Sequence, residues 1–461
     1  MLKNKQLVTD KLISNDLQEM LKEHLKIEEI DFDANLSTTQ KKAFELFKSG
    51  NNLLLIGSGG VGKSFCIKTI EEYTRINTNN NMQLCSTTGV SAYSINGMTI
   101  HSFLGIGTGD QPIDMLIRRI YKKTVYRERI NSINTLVIDE ASMLSANLFE
   151  KMNKICQVIR NDNRFFGGIQ MIFSMDPLQL LPVFNKNALL YKDIDERLII
   201  ESPVFNKEFK KSNIIILKEN FRQKNDPAFI DLLTRVRYGT FTESDIALLN
   251  TRRIIPIDPS KHVHLVSSNK KAQFINDTEI NKLDGPSKIY KSSFKTIGQN
   301  KDLQDILKKE LEYQFKQKGI NELILKKDTR VMLIKNLDTS IGLVNGAIGT
   351  VINLTPLEVE FDNSGKKHII EKVDWELEID GCKVNGTQIP LMLAYSLTIH
   401  KLQSLTLQSG VLDLADCFCD HQIFVALSRL TSLEGIYLKS FNPAKITVNK
   451  KMKEFLDKLE L

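Results

Sequence analysis

The 461-residue chain has a single tryptophan, eleven prolines and six cysteines, and each scarcity excludes something. The cysteines (Cys66, Cys85, Cys156, Cys382, Cys417, Cys419) form no C-x-x-C pair, which argues against a zinc ribbon, an iron–sulfur cluster and a thioredoxin-like site. Scattered in this way they read as small buried hydrophobes of a reducing compartment. No run approaches the ~18 uncharged apolar residues of a membrane span. The opening MLKNKQLVTD lacks the apolar stretch of a secretory leader. The expectation is therefore a soluble intracellular protein without a membrane partner; nucleus, cytoplasm and a viral replication site are not distinguished. Charge of one sign is not dominant either. The 62 Lys+Arg against 55 Asp+Glu leave +7, an excess that permits a polyanion partner without requiring one. An apolar share of 42% with 25% charged residues excludes a disordered chain.

The length corresponds to about three compact units at roughly 150 residues each. Residues 11–30 read as an amphipathic helix, its stripe of Ile13, Leu17, Met20, Leu21 and Leu25 expected to pack on the body of the protein. From Leu53 onward, short apolar runs (LLLIG, LCSTT, TLVIDE, IQMIFSMD) alternate with helical patterns and end in small or polar residues. Such runs indicate strands buried on both faces of a parallel α/β sheet, whose ligands sit at the carboxyl ends of the strands. The rhythm resumes with IIILKEN, HLVSSN, GVLDLAD and GIYLKS. Between Pro286 and Pro390 it gives way to a polar helix (Gln304–Gly319) and alternating strands, LEVEFD and HIIEKVDWELEI, joined by Asn363-Ser364-Gly365. That pattern predicts a small antiparallel insertion.

Gly57-Ser58-Gly59-Gly60-Val61-Gly62-Lys63-Ser64 fits G-x-x-x-x-G-K-[ST]. The glycines let backbone N–H groups wrap phosphate oxygens. Lys63 supplies a point charge to the β- and γ-phosphates, and the Ser64 hydroxyl is a ligand for Mg²⁺. An apolar run precedes the motif and a helix follows it from Phe65, the context such a loop needs. Thr135–Glu140 delivers Asp139 to a strand's carboxyl end as a second Mg²⁺ group, with Glu140 as the general base for an attacking water. The pair alone would be only a strand cap. Together with the glycine-rich loop it predicts a Mg·NTP site built for hydrolysis.

Phosphate-binding loops serve kinases, transporters and motors alike, and further strings narrow the choice. Leu36-Ser37-Thr38-Thr39-Gln40, Ser86-Thr87-Thr88-Gly89-Val90-Ser91-Ala92, Thr99-Ile100-His101-Ser102-Phe103, Phe165-Phe166-Gly167-Gly168-Ile169-Gln170, Ser174–Val183, Glu219-Asn220-Phe221-Arg222-Gln223, Gly342–Gly349, Thr398–Thr406 and Phe424-Val425-Ala426-Leu427-Ser428-Arg429 follow in order. Over about Leu36–Leu438 this set resembles the petite integration frequency (PIF) helicases, in the RecD-like branch of superfamily I. Met175, Leu181, Leu402 and Ser404 depart from the family's usual strings.

The resemblance implies two tandem RecA-like P-loop NTPase domains with a small β-rich, barrel-like insertion in the second. It divides the chain into a helical extension (1–35), a first domain (36–218, with a wedge near 104–130), a second domain (219–285 and 390–461) and the insertion (286–389). It implies roles as well. Gln40 would read adenine beside the loop Gly57–Ser64, although Ser-x-x-Gln is also a helix-start signature. Gln179 would sense the γ-phosphate, and Arg222 and Arg429 would be arginine fingers. Thr87, Thr88, Thr99, His101, Ser102, Phe103, His400, Lys401, Gln403 and Thr406 would contact single-stranded DNA, with Phe103 either a base-stacking or a core ring. Trp375 reads as packing within the insertion. The implied activity is ATP-dependent 5′→3′ translocation on single-stranded DNA and unwinding of duplex or forked DNA by a monomeric motor, in replication, repair or recombination. A translocase or RNA–DNA remodeller and a non-hydrolysing nucleic-acid scaffold are the alternatives.

Overall fold

The computed structural model describes residues 32–460 apart from 33, 89–90, 93–94, 183–194, 257, 259–261, 300, 339–340, 344–345, 363, 380–381 and 404–405. The helix expected over 11–30 lies outside the described residues. Six strands form the first sheet: β1 (Leu53–Ile56), β2 (Met82–Ser86), β3 (Met98–Thr99), β4 (Thr135–Asp139), β5 (Gln170–Met175) and β6 (Ile214–Ile216). They pair in parallel in the order β3-β2-β4-β5-β1-β6. The continuous apolar runs have a direct cause. In β1, Leu54 and Ile56 enter one core while Leu53 and Leu55 enter another on the opposite face. In β4, Leu136 and Ile138 oppose Val137 in the same manner. Both faces are covered by helices, so the strand interiors are apolar and polar groups stand only at the ends: Thr135, donating to Gln170 Oε1, opens β4 and Asp139 closes it.

The larger of these two cores contains a cluster of phenylalanines. Phe149, on the helix Ala146–Arg160, lies 5.6 Å from both Phe166 and Phe173 and 5.8 Å from Phe205, measured between ring centroids. The Phe165–Gly168 turn holds Phe166 and Gly167 at positive φ (46° and 65°), and Arg160 Nε donates to the Gly167 carbonyl at 2.7 Å. The string FFGG is thus a fold element: it turns the chain sharply so that two rings reach the core. Helices Ile113–Tyr121 and Thr124–Ser132, in the stretch expected to hold a wedge, anchor through Leu116, Ile120 and Ile130 and expose Met115, Tyr121 and Val125.

A second parallel sheet has the order Ser396–Thr398, Val263–Val266, Gly410–Asp413, Ile436–Ser440 and a separate apolar core. Between its strands lie antiparallel sheets of five, three and two strands. The run HIIEKVDWELEI divides between two of them, as Lys366–Ile369 and Val373–Ile379. Trp375 packs edge-on against Phe315 at 5.1 Å, with Lys335 over its ring.

Two expected boundaries need correction. Leu391–Leu393 pairs with Arg330–Leu333 in the five-stranded sheet, so the insertion reaches past residue 390. The helix Lys450–Glu460, placed with the second domain by its position in the chain, buries Met452 and Leu456 in the first core and sets Phe455 against Phe205. Its spacing shows an apolar stripe but not which lobe receives it. Among the described residues no helix is long and apolar enough to cross a membrane.

Truncating Phe149 removes the ring at the centre of the cluster. Phe149→Ala is expected to destabilise the first lobe by about 3–5 kcal/mol, read as a lower denaturation midpoint in urea. A loss below about 1 kcal/mol would mean that the cluster repacks without it.

Candidate nucleotide and nucleic-acid site

The loop between β1 and the helix Lys63–Asn77 lies at the carboxyl edge of the first sheet. Gly62 has φ +82°, and a Cβ there would stand 2.5 Å from Gln40 Nε2. Gly59 has no side chain for a different reason: a Cβ would lie 3.1 Å from Arg222 Nη1, 3.3 Å from Arg429 Nη2 and 3.3 Å from Gln179 Nε2. Three residues separated by up to 250 positions thus converge on the space that a side chain at Gly59 would fill. Lys63 folds back, donating Nζ to the carbonyls of Gly57 at 2.7 Å and Ser58 at 3.0 Å.

The electrostatics are one-sided. Arg429 is 1% exposed and donates to Val425 O and Ser428 Oγ; Arg222 Nη1 donates to Ser428 O at 3.1 Å. Among the described residues neither guanidinium has an ion-pair partner within 4 Å. Burial, followed by the charge of Arg222, pushes the Arg429 pKa down to about 9, and burial lowers that of Arg222. Arg429, buried, and Arg222, half-buried, thus place two cations beside the phosphate-binding loop, with Glu140 and, for Arg429, Asp176 attracting them only from a distance.

Asp139 ends β4 at 4% exposure, and burial, then the neighbouring Glu140 charge, raise its pKa to about 6. Glu140 takes the left-handed conformation (φ 55°, ψ 38°) and begins the short helical turn Ala141–Met143. Such backbone strain at a polar residue is typical of functional sites. The carboxylate pair and the Ser64 hydroxyl are hard oxygen donors, and a divalent cation would relieve the strain of charge at Asp139, so the donor set fits Mg²⁺.

Asp176, just past β5, is fully buried and accepts Arg237 Nη2 at 2.6 Å and Gln179 Nε2 at 2.9 Å. Burial alone would raise its pKa, but Arg237 and Lys63 outweigh it and hold the carboxyl below the usual range. Arg237 belongs to the helix Pro227–Tyr238, which packs in the second core, so this ion pair joins the two lobes. Sequence reasoning missed Arg237 because it sits in no recognisable string; only its burial marks it.

The sequence-assigned adenine and DNA residues divide. Gln40 completes a helix capping box, its Oε1 accepting from Ser37 N at 2.9 Å and its Nε2 donating to Gly62 O at 3.2 Å. Its carboxamide therefore ties the helix Thr38–Lys48 to the phosphate loop in this state. Thr87 Oγ1 donates to Glu140 O at 3.2 Å, and the Thr88 hydroxyl pairs with Ser91 at 2.6 Å. Thr99 caps the helix Ile100–Leu104 and donates to Ser102 Oγ at 2.8 Å; Ser102 is exposed and His101 half-buried. Phe103 is 0% exposed within the first core, so the stacking role is corrected in favour of packing. Its spacing within a five-residue helix aims it inward, which the string TIHSF alone does not reveal.

On the other lobe Thr406 is exposed and His400 and Lys401 half-buried, but Gln403 is 1% exposed and donates Nε2 to Glu140 Oε2 at 3.1 Å. Its expected place on DNA is corrected accordingly. The His400 ring lies 6.5 Å from that of Phe418 at an interplanar angle of 23°. Phe418 is 65% exposed, on a loop fixed by Phe418 N and Cys419 N donating to Gln422 Oε1. No sequence reading singled out Phe418, since a lone phenylalanine between cysteines looks like core.

A family model described as PIF1-like helicase matches residues 35–246, and one described as DNA helicase Pif1, 2B domain, matches 315–354. An ATP-dependent DNA helicase Pif1 from Psychrobacter is 30% identical over 476 residues, covering 89% of this chain and 69% of the relative. The chain belongs to the Pif1-like helicase family. The crystal structure of Pif1 helicase from Candida albicans superposes with a TM-score of 0.81 at 30% identity, covering 92% of this chain and 99% of that one. The Bacteroides Pif1 structure in complex with ADP-AlF3 and ssDNA gives 0.72 at 25% identity over 92% of this chain and 97% of the other. Several relatives named ATP-dependent DNA helicase PIF1 are longer, and this Pif1-like chain spans 61–64% of their length.

His421, 2% exposed, senses the Asp176–Arg237 pair, and burial lowers its pKa to about 4. A depressed histidine pKa stabilises the fold above the unfolded value near 6.5 and loses that contribution as pH falls toward 4. Between pH 7 and pH 5 the protein is expected to lose about 2 kcal/mol through this group. Denaturant unfolding of wild type and His421→Gln across that interval checks it: equal losses in both would refute the assignment.

Proposed function

We propose that this chain is an ATP-driven motor that moves 5′→3′ along single-stranded DNA and opens the duplex ahead of it. The observation that carries the reading is the convergence of Arg222, Arg429 and Gln179 on Gly59, with Lys63 folded onto the neighbouring carbonyls of Gly57 and Ser58. A triphosphate would supply an anion in direct contact with these cations. Lys63 would leave the loop carbonyls for the β- and γ-phosphates, while Arg222 and Arg429 would stabilise charge on the transferring phosphoryl group. Gln40 would have to release Ser37 or Gly62 to read adenine.

Ser64 and Asp139 would hold Mg²⁺, which would neutralise phosphate charge when bound. Glu140 would accept a proton from the attacking water. Both arginines reach the loop from beyond β6, so the polyphosphate would draw the lobes together and its loss would let them part. Breaking one base-pair step costs about 1.4 kcal/mol, so a single nucleotide advanced per ATP is energetically sufficient.

Thr87, Thr88, Thr99, His101 and Ser102 on one lobe, with His400, Lys401 and Thr406 on the other, would carry the strand. The exposed Phe418 ring beside His400 would add a stacking surface. The relatives' name as DNA helicases, and the Bacteroides complex with ADP-AlF3 and ssDNA, support the same reading.

Lys63→Ala is expected to abolish DNA-stimulated ATP hydrolysis with the fold retained; normal turnover would sink the nucleotide assignment. Duplexes with a 5′ tail, a 3′ tail or an RNA tail test the motor. Preferential unwinding from the 3′ tail would contradict the polarity, and hydrolysis without unwinding would indicate a translocase. Phe418→Ala is expected to weaken oligothymidine binding by the ~1–3 kcal/mol of one stacked base, measured by fluorescence anisotropy, with DNA-free ATPase unchanged.

A further inference from the structure

Glu140 is where loops from both lobes meet. Its backbone carbonyl accepts Thr87 Oγ1 at 3.2 Å, and its carboxylate accepts Gln403 Nε2 at 3.1 Å. Gln403 sits at the end of a tight turn in which Lys401 N and Leu402 N donate to Thr398 O at 2.9 and 3.2 Å. That turn presents His400 and Lys401, half-buried, on its outer side. The Gln403 Oε1 atom is buried and finds no donor among the described residues. An amide kept for bracing would satisfy both its ends; this one spends its donor on a carboxylate and leaves its acceptor empty. A carboxylate held by this contact on one side and by its backbone bond to Thr87 on the other has its orientation fixed.

We propose that Gln403 is a positioning residue that restrains the Glu140 carboxylate while no strand is bound, and that a phosphate backbone engaging His400 and Lys401 withdraws it, so that the strand licenses hydrolysis. The inference rests on Glu140 acting as the general base. The contact links loops 263 positions apart across the cleft, so a displacement of the His400–Lys401 turn reaches the carboxylate through only two residues. Because strand binding would be better in the released state than in the restrained one, it would shift the population toward release.

The test compares ATP turnover of the full chain with and without saturating oligothymidine, alongside the oligothymidine Kd and the ATP KM. Gln403→Ala is expected to raise DNA-free turnover on the order of tenfold, the weight of a hydrogen bond to a charged group. The DNA-stimulated rate and the Kd should change little, so that the stimulation ratio collapses. Gln403→Asn, a methylene short of Glu140, should behave like the alanine variant. Gln403→Glu keeps the packing volume and sets a like charge against Glu140, which covers the case in which alanine destabilises the turn. Equal reductions of both rates, or a weakened Kd with unchanged DNA-free turnover, would overturn the proposal. A wild-type ATPase indifferent to oligothymidine would fault the motor reading instead, before any variant is compared.

Discussion

The constraint on which this molecule depends is the burial of positive charge beside the phosphate-binding loop, with the carboxylates that attract it, Glu140 and Asp176, held out of direct contact. Arg222 and Arg429 lie against Gly59, one of them almost wholly buried, and they hydrogen-bond carbonyls and a hydroxyl rather than carboxylates. Burying a cation costs far more than a few such bonds return. The cost is borne by the two cores that hold the arginines' elements in place: the first packs β1 and β4, and the second packs the helix Gln422–Leu427 just before Arg429. A polyanion is then the natural complement, and the glycines are those that allow its approach.

Among the described residues, two polar contacts cross between the lobes beside the nucleotide loop and its carboxylates, Asp176–Arg237 and Gln403–Glu140. Arg222–Ser428 and Gln223–Leu430 lie within the second lobe and tie its two arginine-bearing segments together. Separate apolar cores keep each lobe rigid, while polar contacts between them exchange partners at modest cost. The helix Lys450–Glu460 modifies this picture: it returns from the second lobe to bury Met452 and Leu456 in the first, a tether that limits how far the lobes separate.

Much of the site was legible in the primary structure because phosphate chemistry constrains adjacent residues. The loop Gly57–Ser64 needs its glycines at fixed spacing, and Asp139-Glu140 must end a strand, so both stand out as strings. The parallel sheets were legible for a similar reason: a strand buried on both faces has an apolar interior, and Leu53–Ile56 has no polar residue while Thr135–Asp139 confines them to its two ends. Directions were not legible. Phe103 and Gln403 lie in strings that suggest nucleic-acid contact, yet one side chain enters the core and the other crosses to Glu140.

Taken by itself, the order of amino acids determined the α/β class, the phosphate loop and its carboxylates, because each follows from local periodicity or a short-range spacing rule; Arg222 and Arg429 were legible only through the resemblance of the strings around them to the family's. Tertiary structure alone decided that Arg237 pairs with Asp176, that Phe418 is presented to solvent beside His400, that the last helix belongs to the first core, and that Gln403 donates to Glu140. These are contacts between residues tens to hundreds of positions apart. Nothing in a neighbouring residue encodes them, since the free energy that selects them comes from closing two separate cores around one cleft.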